Sequence, residues 1–150
     1  TLVDQQIGKL SEIEDKETKQ ITCIRAGLQN LEGIEAFNNL VSLNVSYNQV
    51  SSLLPLSKFV QLEYLNLSGN LISDVEQLAY LKPLRKLNSL HLGLNPVVDS
   101  DRTRLCDYLL LNLFHIPTIS FLSDGDKQHE EVAEQQTESE KFANDRQKLW

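Results

Sequence analysis

The sequence predicts an α/β solenoid, with short strands stacked into a parallel sheet and a 3₁₀ or short helical return behind each strand. Two observations carry this. The 150-residue chain agrees with itself at a step of roughly 22 residues, and within each copy the apolar spacing changes from two to three. Offsets 0, 3, 5, 8, 10, 13, 16 and 19 give Leu62, Leu65, Leu67, Asn70, Ile72, Val75, Leu78 and Leu81. They also give Leu40, Leu43, Val45, Asn48, Val50, Leu53, Leu56 and Phe59, and, more loosely, Thr18, Ile21, Cys23, Ala26, Leu28, Leu31, Ile34 and Phe37. A fourth copy runs Leu87, Leu90, Leu92, Asn95, Val97 after a three-residue insertion around Leu84.

Each element follows from its spacing. Side chains alternate along a strand. Leu65 and Leu67 therefore face one side, and Tyr64, Asn66 and Ser68 the other. After Asn70 the spacing of three suits a 3₁₀ return. A single copy cannot bury its leucines, so neighbouring copies must stack. Asn48, Asn70 and Asn95 are expected to turn inward and bond the backbone of the bend. Ala26 and Thr18 mark the first copy as degenerate, as befits a copy next to a cap. Before it, Val3, Ile7, Leu10 and Ile13 follow helical spacing. They predict an N-terminal capping helix over 1–17 or, alternatively, an amphipathic helix for a partner.

The pattern LxxLxLxxNxL resembles the leucine-rich-repeat family over about residues 18–125. The short repeat is similar to the intracellular class that includes the type 1 phosphatase regulator, ciliary dynein light chain, spliceosomal A-prime protein and centriolar proteins such as centriolin. The resemblance implies a right-handed leucine-rich-repeat solenoid with a short curved parallel sheet and a cap at each end. DYLLLNLFHIPTISFLSDGD resembles the family's C-terminal cap, with Tyr108 at the cap tyrosine and Ile116, Pro117, Ile119 and Leu122 continuing the pattern. Leu109 and Ser123 depart from it, standing where arginine and aspartate are usual. The expected organisation is thus a capping helix at 1–17, four repeats at 18–98, a C-terminal cap at 99–126 and a helical tail at 127–150. The tail lacks Gly and Pro and is rich in helix formers. It reads as a helix packed partly on the cap, the start of a coiled coil continuing past Trp150, or disorder. A chain beginning at Thr1 with no methionine reads as part of a longer protein.

Composition narrows the chemistry. Net charge is −7, and the acids are spread along the chain. The basic groups Lys82, Arg85, Lys86 and Arg102, Arg104 are too small to release counterions from a nucleic acid. Direct nucleic-acid binding is therefore not expected. No apolar run approaches the roughly 20 residues of a membrane span, and no secretory signal is visible. Cys23 and Cys106 form no CxxC pair. Cys23 replaces a core leucine. His91, His115 and His129 share no metal-ligand spacing, and no Ser, His, Asp set has reason to converge. We expect no cofactor, no metal, no catalytic residue and no enzyme. NVS at 44–46 and NLS at 66–68 match the glycosylation acceptor pattern but arise from the repeat.

Function is then expected on the residues that the repeat leaves free. Gln20, Ser42, Tyr64 and Ser89 form one outward row. Thr22, Asn44, Asn66 and His91 form the next, and Ile24, Ser46, Ser68 and Gly93 a third, with Arg25, Tyr47 and Leu94 at the strand ends. The candidate contacts for a protein helix or extended segment are Tyr64, Asn66, His91, Tyr47, Asn44 and Ser68. Tyrosine is favoured because it buries much area at little entropic cost. The resemblance implies an intracellular interaction scaffold, centrosomal, ciliary or cytoskeletal rather than nuclear. The alternatives are a spliceosomal A-prime-like subunit holding an RNA-binding protein, or a type 1 phosphatase regulator.

Overall fold

The computed structural model describes residues 2–3, as backbone, and 9–121. Six strands form one sheet in chain order: β1 (Leu2–Val3), β2 (Gln20–Ile24), β3 (Ser42–Asn44), β4 (Tyr64–Asn66), β5 (Ser89–His91) and β6 (Thr118–Ser120). Every neighbouring pair is parallel. The register aligns Ile21, Leu43, Leu65, Leu90 and Ile119 in one inward row. That is the row the repeat offsets define, so stacking copies of the sequence reproduces stacking of the strands.

Behind the sheet the chain returns through 3₁₀ turns at Ile34–Ala36, Leu54–Lys58 and Val75–Leu81. Side chains three apart eclipse in a 3₁₀ turn, so apolar residues at that spacing all face the sheet. Leu31, Ile34, Phe37, Leu53, Leu56, Leu78 and Leu81 are fully buried. The insertion extends this device. Leu84 N–H donates to Leu81 C=O and Leu87 N–H to Leu84 C=O, both at 3.1 Å. Three extra residues therefore add one further turn, with Leu84 fully buried.

The three asparagines close the bends. Asn48 Oδ1 accepts from Ala26 and Leu28 N–H, both at 3.0 Å, and its Nδ2 donates to Cys23 and Val45 C=O. Asn70 joins Val50 N–H to Val45 and Leu67 C=O. Asn95 does the same for Ile72, Leu67 and Leu92. Each thus satisfies the preceding bend as well as its own. The first bend can carry Ala26 because Asn48 supplies its bonds.

Where it is described, the N-terminal segment differs from the helix that its spacing predicts over 1–17; residues 1 and 4–8 lie outside the described residues. Leu2–Val3 is a strand paired with Cys23 and Ile24, and Leu10–Glu12 is a single 3₁₀ turn. The extra strand pairs the edge of β2 at Cys23 and Ile24, which a helix would leave unpaired there. Leu10 fills the end of the core, and Lys16 lies over the Phe37 ring, 4.7 Å from its centroid. At the other end, α1 (Pro96–Ser100) and α2 (Arg102–Asn112) lead to β6. Cys106 and Tyr108 lie on α2 and pack against the core. Asp101 caps α2, its carboxylate accepting Arg104 N–H at 2.9 Å. Burial pushes the Tyr108 hydroxyl pKa up, helped by the negative charges of Glu76 and Asp74. His115 lies in the turn after α2 rather than on it, with Nε2 3.2 Å from Leu84 C=O. The tail expected at 127–150, and Leu122 and Ser123 of the cap, lie outside the described residues. Among those described, no helix is long and apolar enough to cross a membrane.

Candidate functional site

The register builds the outward rows as the spacing implies. Gln20, Ser42, Tyr64, Ser89 and Thr118 lie side by side, as do Thr22, Asn44, Asn66, His91 and Ser120. None of these ten side chains carries a full charge at neutral pH when His91 is neutral. Tyr64 and His91 are diagonal neighbours on β4 and β5. Their ring centroids lie 5.3 Å apart with planes tilted by 50°, within the range of favourable aromatic pairs. Both are half-buried, so the pair forms an aromatic platform that keeps part of its surface accessible.

Two expected contact residues are not on that surface. Asn66 is 0% and Ser68 1% exposed. Asn66 Nδ2 donates to Tyr64 Oη at 3.4 Å, and its Oδ1 accepts Ser68 N–H at 3.0 Å. Asn66 lies across the register from His91 and its amide meets the Tyr64 hydroxyl, and Ser68 is enclosed like Ser46, which is also 1% exposed. Asn66 therefore supports the platform rather than meeting a partner directly. Asn44 makes the same local turn with Ser46 N–H at 3.1 Å, but stays half-buried. NVS and NLS are thus two stacked Asx turns, in which the asparagine side chain bonds the backbone two residues on. That pairing is legible in the repeated Asn-x-Ser.

The strand ends carry a feature that the spacing does not disclose. The position just before the bend residue, Ala26 in the first repeat and an asparagine in the others, is left-handed in every repeat, with φ of 51° at Arg25, 58° at Tyr47, 69° at Gly69 and 55° at Leu94. Glycine takes this conformation freely. Other residues pay roughly 1–2 kcal/mol. The Arg25 guanidinium lies 4.7 Å from the Tyr47 ring centroid. The Tyr47 ring in turn crosses onto Gly69, where a Cβ would come within 2.7 Å of it. Tyr47 is therefore placed at the rim of the sheet, not within its outward rows.

The other candidates are quieter. Cys23 is fully buried and burial pushes its thiol up to about 11, so it is protonated and inert at neutral pH. Lys86 Nζ donates to Gln61 Oε1 at 2.7 Å. It shares a polar recess with Glu63, Arg85 and His115, which leaves the basic cluster next to a carboxylate. Among the described residues, no three His, Cys, Asp or Glu side chains are grouped so as to hold a metal ion.

Comparison with known proteins agrees with this geometry. A family model described as "Leucine Rich repeats (2 copies)" matches residues 38–80. The chain is 36% identical over 108 residues to leucine-rich repeat-containing protein 23 of Bos taurus, which covers 71% of this chain and 30% of that protein. It is 35% identical over 115 residues to acidic leucine-rich nuclear phosphoprotein 32 family member A of Drosophila melanogaster, covering 76% of this chain and 42% of that one. The chain thus spans less than half the length of these relatives. Among solved structures, the Drosophila melanogaster SNF/U2A' complex matches with a TM-score of 0.61 at 20% identity, covering 84% of this chain and 76% of that chain. That likeness speaks to the fold. The repeated sequence pattern, the parallel stack it builds and these relatives together make the chain a leucine-rich-repeat protein.

Proposed function

We propose that the chain is an intracellular protein-interaction scaffold that receives a helix or extended protein segment on the outward, concave face of its sheet. The carrying observation is the Tyr64–His91 platform, set in two uncharged rows that the register holds in line. Aromatic anchors ringed by small polar groups are the composition of a protein-binding hot spot. Tyr64, His91 and Asn44 make direct contact in this reading, and Asn66 and Ser68 hold the platform from beneath. No catalytic role is assigned. The resemblance to centriolar and ciliary members favours a centrosomal, ciliary or cytoskeletal setting.

A nuclear setting is the second reading. It is favoured by the relative named a nuclear phosphoprotein and by the structural match to a chain of the SNF/U2A' complex. Imaging of the tagged full-length protein separates the two, and co-purification of small nuclear RNA would support the spliceosomal form of the second. Recovery of the type 1 phosphatase catalytic subunit would instead point to the regulator reading. For the face itself, the Tyr64→Ser, His91→Ser double variant is compared with the unaltered chain in quantitative affinity capture. The variant is expected to keep its circular dichroism spectrum and lose specific partners. Retention of every partner by the folded variant would remove the concave face from consideration.

A further inference from the structure

The rim at the strand ends carries an inference that goes beyond the concave face. Four repeats place a left-handed residue at the same position, and Gly69 demonstrates that glycine satisfies the bend there. Arg25, Tyr47 and Leu94 nevertheless keep full side chains against the backbone preference. Arg25 and Leu94 project from the rim, Leu94 at 52% exposure. Side chains held in a strained conformation at the surface, with little burial in return, point to a role outside the fold.

We infer that this rim is a second docking edge, which binds a protein segment carrying a carboxylate for Arg25 and an apolar group for Leu94. The charge at one end sets the polarity. Arg25 is exposed and already oriented by the Tyr47 ring, and guanidinium in such a setting prefers a planar carboxylate. The other end offers the exposed aliphatic side chain of Leu94. Arg25 and Leu94 belong to the first and fourth repeats, three strand spacings apart, so the partner's acidic and apolar groups must lie about 14 Å apart. That distance is about four residues of extended chain or about nine of helix. Arginine on tyrosine could also stack a nucleic-acid base. The aliphatic end and the net charge of −7 disfavour a polyanion, so the protein segment is the reading adopted.

The test is selection of a displayed library of random 16-residue peptides on the full chain, with binding of the selected peptides then measured. Peptides pairing Asp or Glu with a distant apolar cluster should be enriched. Arg25→Glu should weaken them about tenfold or more, with affinity recovered by exchanging the peptide's acid for lysine. Leu94→Gly should weaken them similarly while leaving the melting temperature unchanged or raised, because relief of the left-handed strain offsets the freer unfolded chain. Tyr64→Ser with His91→Ser should leave these peptides bound. Peptides that depend on Tyr64 and His91 but ignore Arg25 and Leu94 would overturn the rim while upholding the concave face. Failure to enrich any acidic–apolar peptide would overturn it. So would binding of a single-stranded uridine oligonucleotide, abolished by Arg25→Glu.

Discussion

Asn70 uses both polar atoms of its side chain on backbone groups of two repeats, while Ser68, two residues away, has a buried hydroxyl without a partner among the described residues. The two polar side chains should therefore answer truncation oppositely. Asn70→Ala strands several buried donors and acceptors, at about 1–3 kcal/mol for each; urea denaturation should register a loss of roughly 3 kcal/mol or more. Ser68→Ala removes an unmet desolvation cost and should be neutral, or stabilising by about 1 kcal/mol. Cys23 gives a third reading at this scale. Its thiol stays protonated in the folded chain to about pH 11, from an ordinary value of 9.0, so the unfolded chain releases a proton first. Stability should fall as pH rises from 9 to 11, at about 1.4 kcal/mol per pH unit at most, and Cys23→Val should flatten that slope in denaturation curves taken across the range. The inward asparagines and the core cysteine were legible in the sequence because the repeat fixes which way they face. The burial of Asn66 and Ser68 was not. It depends on how neighbouring side chains close over them, which periodicity does not encode.

At the scale of elements, strands and returns followed from spacing, and the N-terminal cap did not. Val3, Ile7, Leu10 and Ile13 satisfy a helical template, yet Leu2–Val3 extends the sheet and Leu10 enters the core from a single turn. Apolar residues at helical spacing do not by themselves exclude a strand at 2–3 or a 3₁₀ turn at 10–12 when an unpaired strand edge waits beside them. The turn seats on Gly33, whose φ is +94° and whose missing Cβ would lie 2.7 Å from Ser11 N. Gly33→Ala combines left-handed strain with a backbone clash. It should cost about 2 kcal/mol or more and raise amide exchange first around Ser11 and β2, a pattern that hydrogen-exchange mass spectrometry resolves.

At the scale of the whole molecule, the asparagines bond each repeat to the one before it. The solenoid has little that is local to one copy, in keeping with nearest-neighbour stability in stacked repeats. The repeat and the strand-end residues could be read from sequence because they recur; the left-handed backbone at Arg25, Tyr47 and Leu94 could not, because it is invisible when the residue there is not glycine. The insertion at Leu84 has a consequence of a different kind. Since the chain turns back in steps of three, with Leu81, Leu84 and Leu87 each closing one step, its length is quantised much as a reading frame is. Removing residues 84–86 keeps the frame. The shortened chain should fold and unfold in one transition, with a modest drop in melting temperature. Removing only 85 and 86 shifts the frame, swings Leu87 off the core and misaligns β5, β6 and the cap, so the same melt should broaden or vanish. The outer arc of this chain can therefore be lengthened by a whole triplet without disturbing the face it presents.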